Sequence, residues 1–254
     1  LISTRSRRSI IRRWSRALLA VCGLRLRVHA GAPSAHHPYS FPGDERAAAS
    51  TLEQLACGRM LVANHTSWLD IFAINALATC AFVAKAELRR WPLAGWLVAL
   101  AGTVFIERSR RHAVHQVIQA LRERIREGIP VAVFPEATTS AGPVLLPFHA
   151  NLLQAPIADG AEIIPLAIRY LDASGGPALE AAYIGDTTFA QSLWNVLGAR
   201  GLVVSVGVLD TVPTRGRNRH ELARDLRERV SAGLGLPTQD IGPGTADGFQ
   251  AASR

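Results

Sequence analysis

Apolar and polar positions alternate along this chain with two different periods. Short apolar runs predict β-strands at 59–63, 81–84, 103–106, 131–134, 162–169 and 202–208. Between these runs apolar residues recur at helical spacing, which predicts helices at 67–78, 91–100, 112–127, 149–158, 189–198 and 218–232. The clearest helical pattern is 112–127, where the apolar residues share one face and Gly128 follows the end.

This order of elements predicts an α/β fold. We expect a single domain with a mixed, largely parallel central sheet flanked by helices, preceded by an N-terminal basic amphipathic helix. A chain of 254 residues suits one such domain. The sequence divides into a basic amphipathic arm at 1–35, a main folded domain at 36–232 and a disordered tail at 233–254, which is rich in Gly, Pro, Asp and Ala.

The net charge of +8 comes from the arm. Residues 1–35 contain eight Arg and no acidic residue. On a helix, one face would carry Ile10, Ile11, Trp14, Ala17, Leu18 and Val21, and the opposite face Arg12, Arg13 and Arg16. Such a helix suits an anionic membrane surface. The alternatives are a helix packed on the domain with a solvated Arg face and a nucleic-acid-binding arm. We expect no nucleic-acid partner, because no recognised nucleic-acid-binding motif accompanies the arm.

No uncharged apolar run reaches the length of a membrane span. The longest, 91–106, has 16 residues and contains Pro92, Gly95 and Gly102, so we expect a buried or membrane-dipping helix that runs into a strand. The chain begins with Leu1 and its only Met is Met60, so we expect an N-terminus that is incomplete or processed.

The three cysteines show no metal or redox spacing. Cys22, Cys57 and Cys80 are expected to be small buried hydrophobic residues in a reducing compartment.

Candidate chemistry lies just after the apolar run 60–63. His65 follows the predicted strand and Asp70 comes five residues later. An imidazole can take a proton from a hydroxyl nucleophile, and a carboxylate can fix its tautomer and stabilise the imidazolium that forms. The alternative is that Ser67 or Asp70 merely caps the start of a helix.

Four ordered blocks across roughly residues 55–210 resemble the glycerolipid acyltransferases, whose best-known bacterial members are the 1-acylglycerol-3-phosphate acyltransferases. Residues 64–70 (Asn-His-Thr-Ser-Trp-Leu-Asp) match the first block, Asn-His-x-(Ser/Gln)-x-x-Asp. Residues 102–108 match a Gly followed by Phe-Ile-(Asp/Glu)-Arg. Residues 134–140 match Phe-Pro-Glu-Gly-Thr-Arg-Ser with two departures, and 163–167 match an apolar strand that carries a Pro.

The resemblance implies a reaction without an acyl-enzyme. His65 would be the general base for the acceptor hydroxyl, and Asp70 would orient it, while the hydroxyl attacks the thioester directly. No Ser lies in a Gly-x-Ser-x-Gly elbow. We assign substrate binding to Lys85, Glu107, Arg108, Glu136, Thr138 and Thr139, with Arg108 on the acceptor phosphate. We assign no catalytic role to His149, since a lone His among apolar residues is more often structural.

The third block departs from the pattern at two positions. Ala137 replaces Gly, which is tolerated if this residue does not need a positive φ. Thr139 replaces an Arg that binds phosphate in the family, so one positive charge is lost. Either Arg108 and Lys85 suffice for a phosphate, or the acceptor is not a phosphate monoester.

The resemblance implies a membrane-associated enzyme that acylates 1-acylglycerol 3-phosphate to phosphatidic acid in phospholipid synthesis. The alternatives are acylation of a lyso-ornithine lipid or another lysolipid, and a non-catalytic lipid-binding protein. The donor would be acyl-CoA or acyl-carrier protein, with acyl-carrier protein then a partner. We expect no metal and no other cofactor, and a location at the cytoplasmic face of the bacterial inner membrane.

Overall fold

The computed structural model describes residues 4–31, 52–85, 104–106, 111–140 and 145–237. The helices are α1 Thr4–Val21, α2 Asp70–Leu77, α3 Arg111–Arg126, α4 Gln154–Asp159, α5 Phe189–Gly198 and α6 Arg219–Gly233, with 3-10 turns at Asn151–Leu153 and Leu179–Ala181. The strands are β1 Arg25–Ala30, β2 Met60–Ala63, β3 Ala81–Lys85, β4 Val104–Ile106, β5 Val131–Val133, β6 Ile163–Leu171 and β7 Val203–Val208.

The strands form one sheet in the order β1-β7-β6-β2-β5-β3-β4. All neighbouring strands are parallel except β6 and β7, which pair antiparallel. This confirms the predicted mixed, largely parallel sheet flanked by helices. Strand β2 lies near the middle, between β5 and β6, so it is hydrogen-bonded on both sides.

The two faces of the sheet are covered by different helices. Successive residues of β2 alternate between the faces: Leu61 and Ala63 belong to one hydrophobic cluster, and Met60 and Val62 to the other. The first cluster is completed by buried side chains of α1, α2 and α5. The second is completed by α3, α4 and α6. The structure is therefore a three-layer α/β arrangement.

Strand β1 was missed by the sequence analysis and corrects the boundary of the predicted arm. Arg25–Ala30 pairs in parallel with β7, so the second half of the segment 1–35 is an edge strand of the sheet. The alternation is weak in the sequence because Arg25 and Arg27 are exposed, and only Val28 and His29 are buried. The strand was missed because it is half exposed and its exposed positions include two Arg residues.

Helix α1 packs on α2, as the packed-helix alternative predicted. The Trp14 ring meets the edge of Phe72 with centroids 5.6 Å apart. Arg16 Nε donates to the Ala76 carbonyl at 2.9 Å, and Arg12 forms an ion pair with Glu53. The predicted apolar face is thus divided. Trp14 and Leu18 pack inward, whereas Ile10 and Val21 are 55% and 76% exposed.

Two further expectations agree with the structure in part. Cys22 and Cys80 are buried, but Cys57 is exposed in the turn before β2, which corrects the prediction for that residue. Leu234 is buried directly after α6, so the packed chain runs past the predicted start of the tail.

The predicted helix 91–100 and the rest of the tail, 238–254, lie outside the described residues. Within the described ranges, no helix combines the length and the apolar character that crossing a bilayer requires.

Candidate active site

The candidate site lies where β2 ends, at the carboxyl edge of the parallel strands, where α/β proteins bind ligands. Asn64 fixes this strand end to β6. Its Nδ2 donates to the Ile168 carbonyl at 2.9 Å and its Oδ1 accepts from the Ile168 amide at 2.8 Å. The buried Asn64 thus extends the ladder by one residue through its side chain, and it sets the position of the next residue, His65.

His65 and Asp70 form the predicted pair. The distance from His65 Nδ1 to Asp70 Oδ2 is 2.8 Å. Asp70 is fully buried, whereas the imidazole is 20% exposed. Because the carboxylate accepts the proton carried by Nδ1, Nε2 keeps its lone pair and can act as a base. The imidazole stacks on Phe134, with ring centroids 4.1 Å apart and planes at 14°.

Asp70 is held by three further donors. Its Oδ2 also accepts from the Thr66 and Ser67 amides at 2.8 and 3.0 Å. Its Oδ1 accepts from the Tyr170 hydroxyl at 2.7 Å. The carboxylate therefore turns back onto the loop before α2, and the residue at the helix start, Leu69, provides no side-chain cap. The capping alternative for Asp70 is wrong.

Tyr170 is a site residue that the sequence analysis missed. It lies on β6, is buried, and donates to Oδ1 of Asp70, whereas His65 contacts Oδ2. Burial, together with the adjacent Asp70 carboxylate, raises the pKa of the Tyr170 phenol, so the hydroxyl stays a donor. The sequence does contain one indication of this role: Tyr170 is the only Tyr in the apolar strand Ile163–Leu171, and a buried Tyr hydroxyl usually requires a hydrogen-bond partner.

Glu136 braces the loop that carries His65. Its Oε1 accepts from the His65 amide at 2.8 Å, and its Oε2 accepts from Ser140 Oγ at 2.6 Å and the Leu146 amide at 3.2 Å. Burial raises the pKa of Glu136, and the surrounding hydrogen bonds oppose that rise. Because both oxygens bind protein donors, the contacts give Glu136 a role in site integrity. Its predicted contact with substrate stays a prediction.

Ala137 occupies the position of the family's Gly and has φ of 60°. The condition under which Ala would be tolerated without cost, that this residue does not need a positive φ, is therefore not met. A side chain in the left-handed region places Cβ close to the following carbonyl and costs about 1–2 kcal/mol. Ala137 is the only non-Gly residue with positive φ among the described residues, so the third block carries local backbone strain.

The hydroxyl of Thr139 is engaged within the protein. It donates to the Tyr183 carbonyl, and the Tyr183 amide donates to the Thr66 carbonyl at 2.9 Å. Thr139 thus links the third block to the segment that contacts the His65 loop, while its neighbour Thr138 is exposed. The predicted substrate contacts of both residues stay predictions.

The structure describes only some of the remaining predicted site residues. Lys85 ends β3, so its backbone lies at the same sheet edge as His65, two strands away across β5. Glu107 and Arg108 lie outside the described residues. His149 is exposed. Among the His, Cys, Asp and Glu residues that the structure describes, no group of three could hold a metal ion.

Comparisons with known proteins find similar sequences. The family model described as Acyltransferase matches residues 49–169. A lyso-ornithine lipid O-acyltransferase from Pseudomonas aeruginosa is 40% identical over 70% of this chain and 69% of its own length. A 1-acyl-sn-glycerol-3-phosphate acyltransferase from Neisseria gonorrhoeae is 36% identical over 69% of each chain.

The fold is shared with a solved structure. The crystal structure of the 1-acyl-sn-glycerophosphate acyltransferase from Thermotoga maritima superimposes with a TM-score of 0.58. The match covers 92% of this chain and 83% of that chain at 22% identity, so it bears on the fold alone.

Proposed function

This chain belongs to the Acyltransferase family and is an acyltransferase, and we propose that it transfers a fatty acyl group from a thioester to the free hydroxyl of a lysolipid. The acceptor that we propose is 1-acylglycerol 3-phosphate, with phosphatidic acid as the product. The observation that carries the proposal is the pairing of the half-buried His65 with the fully buried Asp70 at 2.8 Å.

The reaction is a single acyl substitution at the thioester carbonyl carbon. His65 Nε2 takes the hydroxyl proton while the oxygen attacks the thioester carbonyl carbon, and Asp70 stabilises the imidazolium. As the carbon–sulfur bond breaks, the thiolate leaves and takes the proton from the imidazolium. The products are an ester and a free thiol, and His65 returns to its starting state. The donor is acyl-CoA or acyl-carrier protein.

A lyso-ornithine lipid is the second candidate acceptor. Thr139 supplies no charge where the family has Arg, and its hydroxyl already donates to Tyr183. The loss of a cation favours a head group that needs less positive charge than a phosphate monoester does. Relatives named for each of the two activities resemble this chain at comparable identity.

The test is acyl transfer by the purified protein from one acyl thioester to lysophosphatidic acid and lyso-ornithine lipid, measured side by side. We expect transfer to lysophosphatidic acid at the higher kcat/KM. Preference for the ornithine lipid would replace the first acceptor by the second, and transfer to neither would contradict the proposed function. If the ornithine lipid is preferred, Thr139→Arg should raise kcat/KM for lysophosphatidic acid, because the variant restores the missing charge.

We also propose that the protein works on an anionic membrane, at the cytoplasmic face of the bacterial inner membrane. Arg7 and Arg13 are exposed on α1, on either side of the exposed Ile10. An exposed apolar residue among Arg side chains suits the boundary between head groups and acyl chains. A lysolipid acceptor resides at the same boundary.

A further inference from the structure

Helix α5 directs an apolar side toward solvent. The helix, Phe189–Gly198, contains no charged residue. Ser192 and Val196 are buried against the domain, whereas Trp194 and Leu197 are 78% and 50% exposed. Residues three apart on a helix are neighbours, so Trp194 and Leu197 form a continuous apolar surface. A surface helix of a soluble domain normally directs polar side chains outward.

Exposed apolar side chains concentrate around this helix. Leu179 belongs to the 3-10 turn that packs against α5, and Ile184 lies in the segment between them. Together, Leu179, Ile184, Trp194 and Leu197 are four of the eight large apolar side chains that are exposed in the described part of the chain. We name these four residues the α5 patch. Single exposed apolar residues are common, but a cluster indicates an interaction surface.

The inner side of α5 holds the loop that carries the catalytic pair. Trp68, within the first block, donates from Nε1 to the buried Ser192 Oγ at 3.1 Å. The Trp68 ring also contacts the Phe189 ring, with centroids 5.1 Å apart. A ligand on the outer side of α5 is therefore one helix thickness from the His65 loop.

Two exposed Arg residues lie near the C-terminal end of α5. The exposed Arg200 follows the helix, and the exposed Arg25 donates its amide to the carbonyl of Leu202. Two of the acidic residues near α5, Glu180 and Asp186, precede the helix at its other end, while Asp172 adjoins Ala173, against which Gly201 lies. An apolar surface with cations at one end fits an anionic lipid bilayer.

This end of α5 adjoins the end of α1. Gly23, which follows α1, lies against the carbonyl of Ala199, which follows α5. Val21, two residues before Gly23, is 76% exposed. The C-terminal ends of α1 and α5 are therefore adjacent.

We propose that the C-terminal half of α5 inserts into an anionic bilayer, with Trp194 as the anchor and Leu197 and Val21 beside it. The inference rests on the proposed function, because a lipid acceptor would then reach His65 from the membrane on which α5 lies. A Trp at the interface places its ring among acyl chains and its N–H among head groups.

The test is co-sedimentation with vesicles of phosphatidylglycerol and phosphatidylcholine. Trp194→Glu and Leu197→Glu should each lower vesicle affinity about tenfold or more, since each replaces an inserted apolar side chain by a carboxylate. Asn195→Glu is the matched control. It places the same charge on the same helix at an exposed polar position, and it should lower affinity by less than about threefold.

A second measurement follows Trp194 directly. Vesicles with bromine-labelled acyl chains should quench a larger share of the fluorescence of the wild type than of Trp194→Phe. Equal quenching, or wild-type affinity of both Glu variants, would overturn the proposal. An equal loss in Asn195→Glu would also overturn it, as would a shift from dimer to monomer in Trp194→Glu with unchanged vesicle binding.

The same variants separate this proposal from the proposed function. In detergent micelles, Trp194→Glu should transfer acyl groups at the wild-type rate, because no bilayer is needed there. If the wild type itself shows no transfer in micelles, the proposed function fails, while the vesicle measurement still decides the role of α5.

Discussion

At the residue scale, Asp70 organises the site. Its two oxygens accept from the His65 imidazole, two backbone amides and the Tyr170 hydroxyl. The amides belong to the same loop, but Tyr170 reaches Asp70 from β6, 100 residues further along the chain. Tyr170 is therefore a positioning residue that acts on His65 through Asp70.

Replacing Tyr170 by Phe should lower kcat about tenfold to a hundredfold, because losing a hydrogen bond to a charged group costs about 1.5–3 kcal/mol. KM for the acceptor should change less than about twofold, since the phenol is buried and its hydroxyl donates to Asp70. Steady-state kinetics on Tyr170→Phe checks this split. Tyr183→Phe is the control, because its observed contacts near the site are made by its backbone. Equal effects of the two variants would remove the special role of Tyr170.

The strained backbone at Ala137 predicts a substitution that raises the stability of the fold. Ala137→Gly should stabilise the fold by up to about 1 kcal/mol, because relief of the left-handed strain exceeds the extra entropy that Gly has in the unfolded chain. Urea denaturation measures the change. Ala120→Gly, in the middle of α3, is the contrast and should destabilise by about 1 kcal/mol. A loss of stability in Ala137→Gly would show that the strain argument fails.

At the element scale, the sequence located most of the fold. Among the described residues, each predicted strand and helix is present, and periodicity alone identified α3, α5 and α6. Strand β1 was missed because its outward positions are Arg, which made the segment resemble the preceding basic helix. The order of strands could not be derived from the sequence, since pairing depends on contacts between distant segments.

Strand β1 also carries a pH-sensitive residue. His29 is buried beside Gly207 of β7, and a Cβ at Gly207 would lie 2.8 Å from the His29 ring. Burial lowers the pKa of His29 from 6.5 to about 4. Because Gly207 has no side chain, the His29 ring fits beside it, and β1 can pair with β7 at the edge of the sheet.

The free energy of unfolding should therefore fall as pH drops from about 6.5 to about 4. In this window the unfolded His29 binds a proton that the folded form rejects, so stability is lost by at most about 1.4 kcal/mol per pH unit. Urea denaturation at several pH values measures the slope. His29→Gln should flatten it, whereas His220→Gln, at an exposed position, should not. An unchanged slope in His29→Gln would assign the pH dependence to other groups.

At the scale of the whole molecule, the candidate site and the proposed membrane-binding surface lie on different parts of the fold. The site lies at the carboxyl edge of the parallel strands. Helices α1, α2 and α5 cover one face of the sheet, and α1 and α5 carry the basic arm's charges and the exposed Val21, Trp194 and Leu197. The sequence predicted the charge of this region but not its position relative to His65. The contacts of Glu136, Tyr170 and Ser192 could not be predicted from the sequence either, because each contact joins segments that are far apart in the chain.

The concentration of Arg in the first 35 residues predicts a salt-dependent membrane affinity. Binding to vesicles that contain phosphatidylglycerol should weaken between about 0.05 and 0.5 M NaCl, because screening shortens the reach of each cation. Co-sedimentation over a salt series measures the effect, and purely zwitterionic vesicles should show weaker and salt-insensitive binding. Salt-insensitive binding to the anionic vesicles would mean that the arm does not contact lipid charge.

We propose that His65, oriented by Asp70, is the base for acyl transfer. The most direct test compares wild type with His65→Ala in transfer from one acyl thioester to lysophosphatidic acid and lyso-ornithine lipid. We expect His65→Ala to lower kcat by about 10²–10⁴ toward the better acceptor, with a cooperative unfolding transition like that of the wild type. Transfer at the wild-type rate by a folded His65→Ala variant would contradict the mechanism.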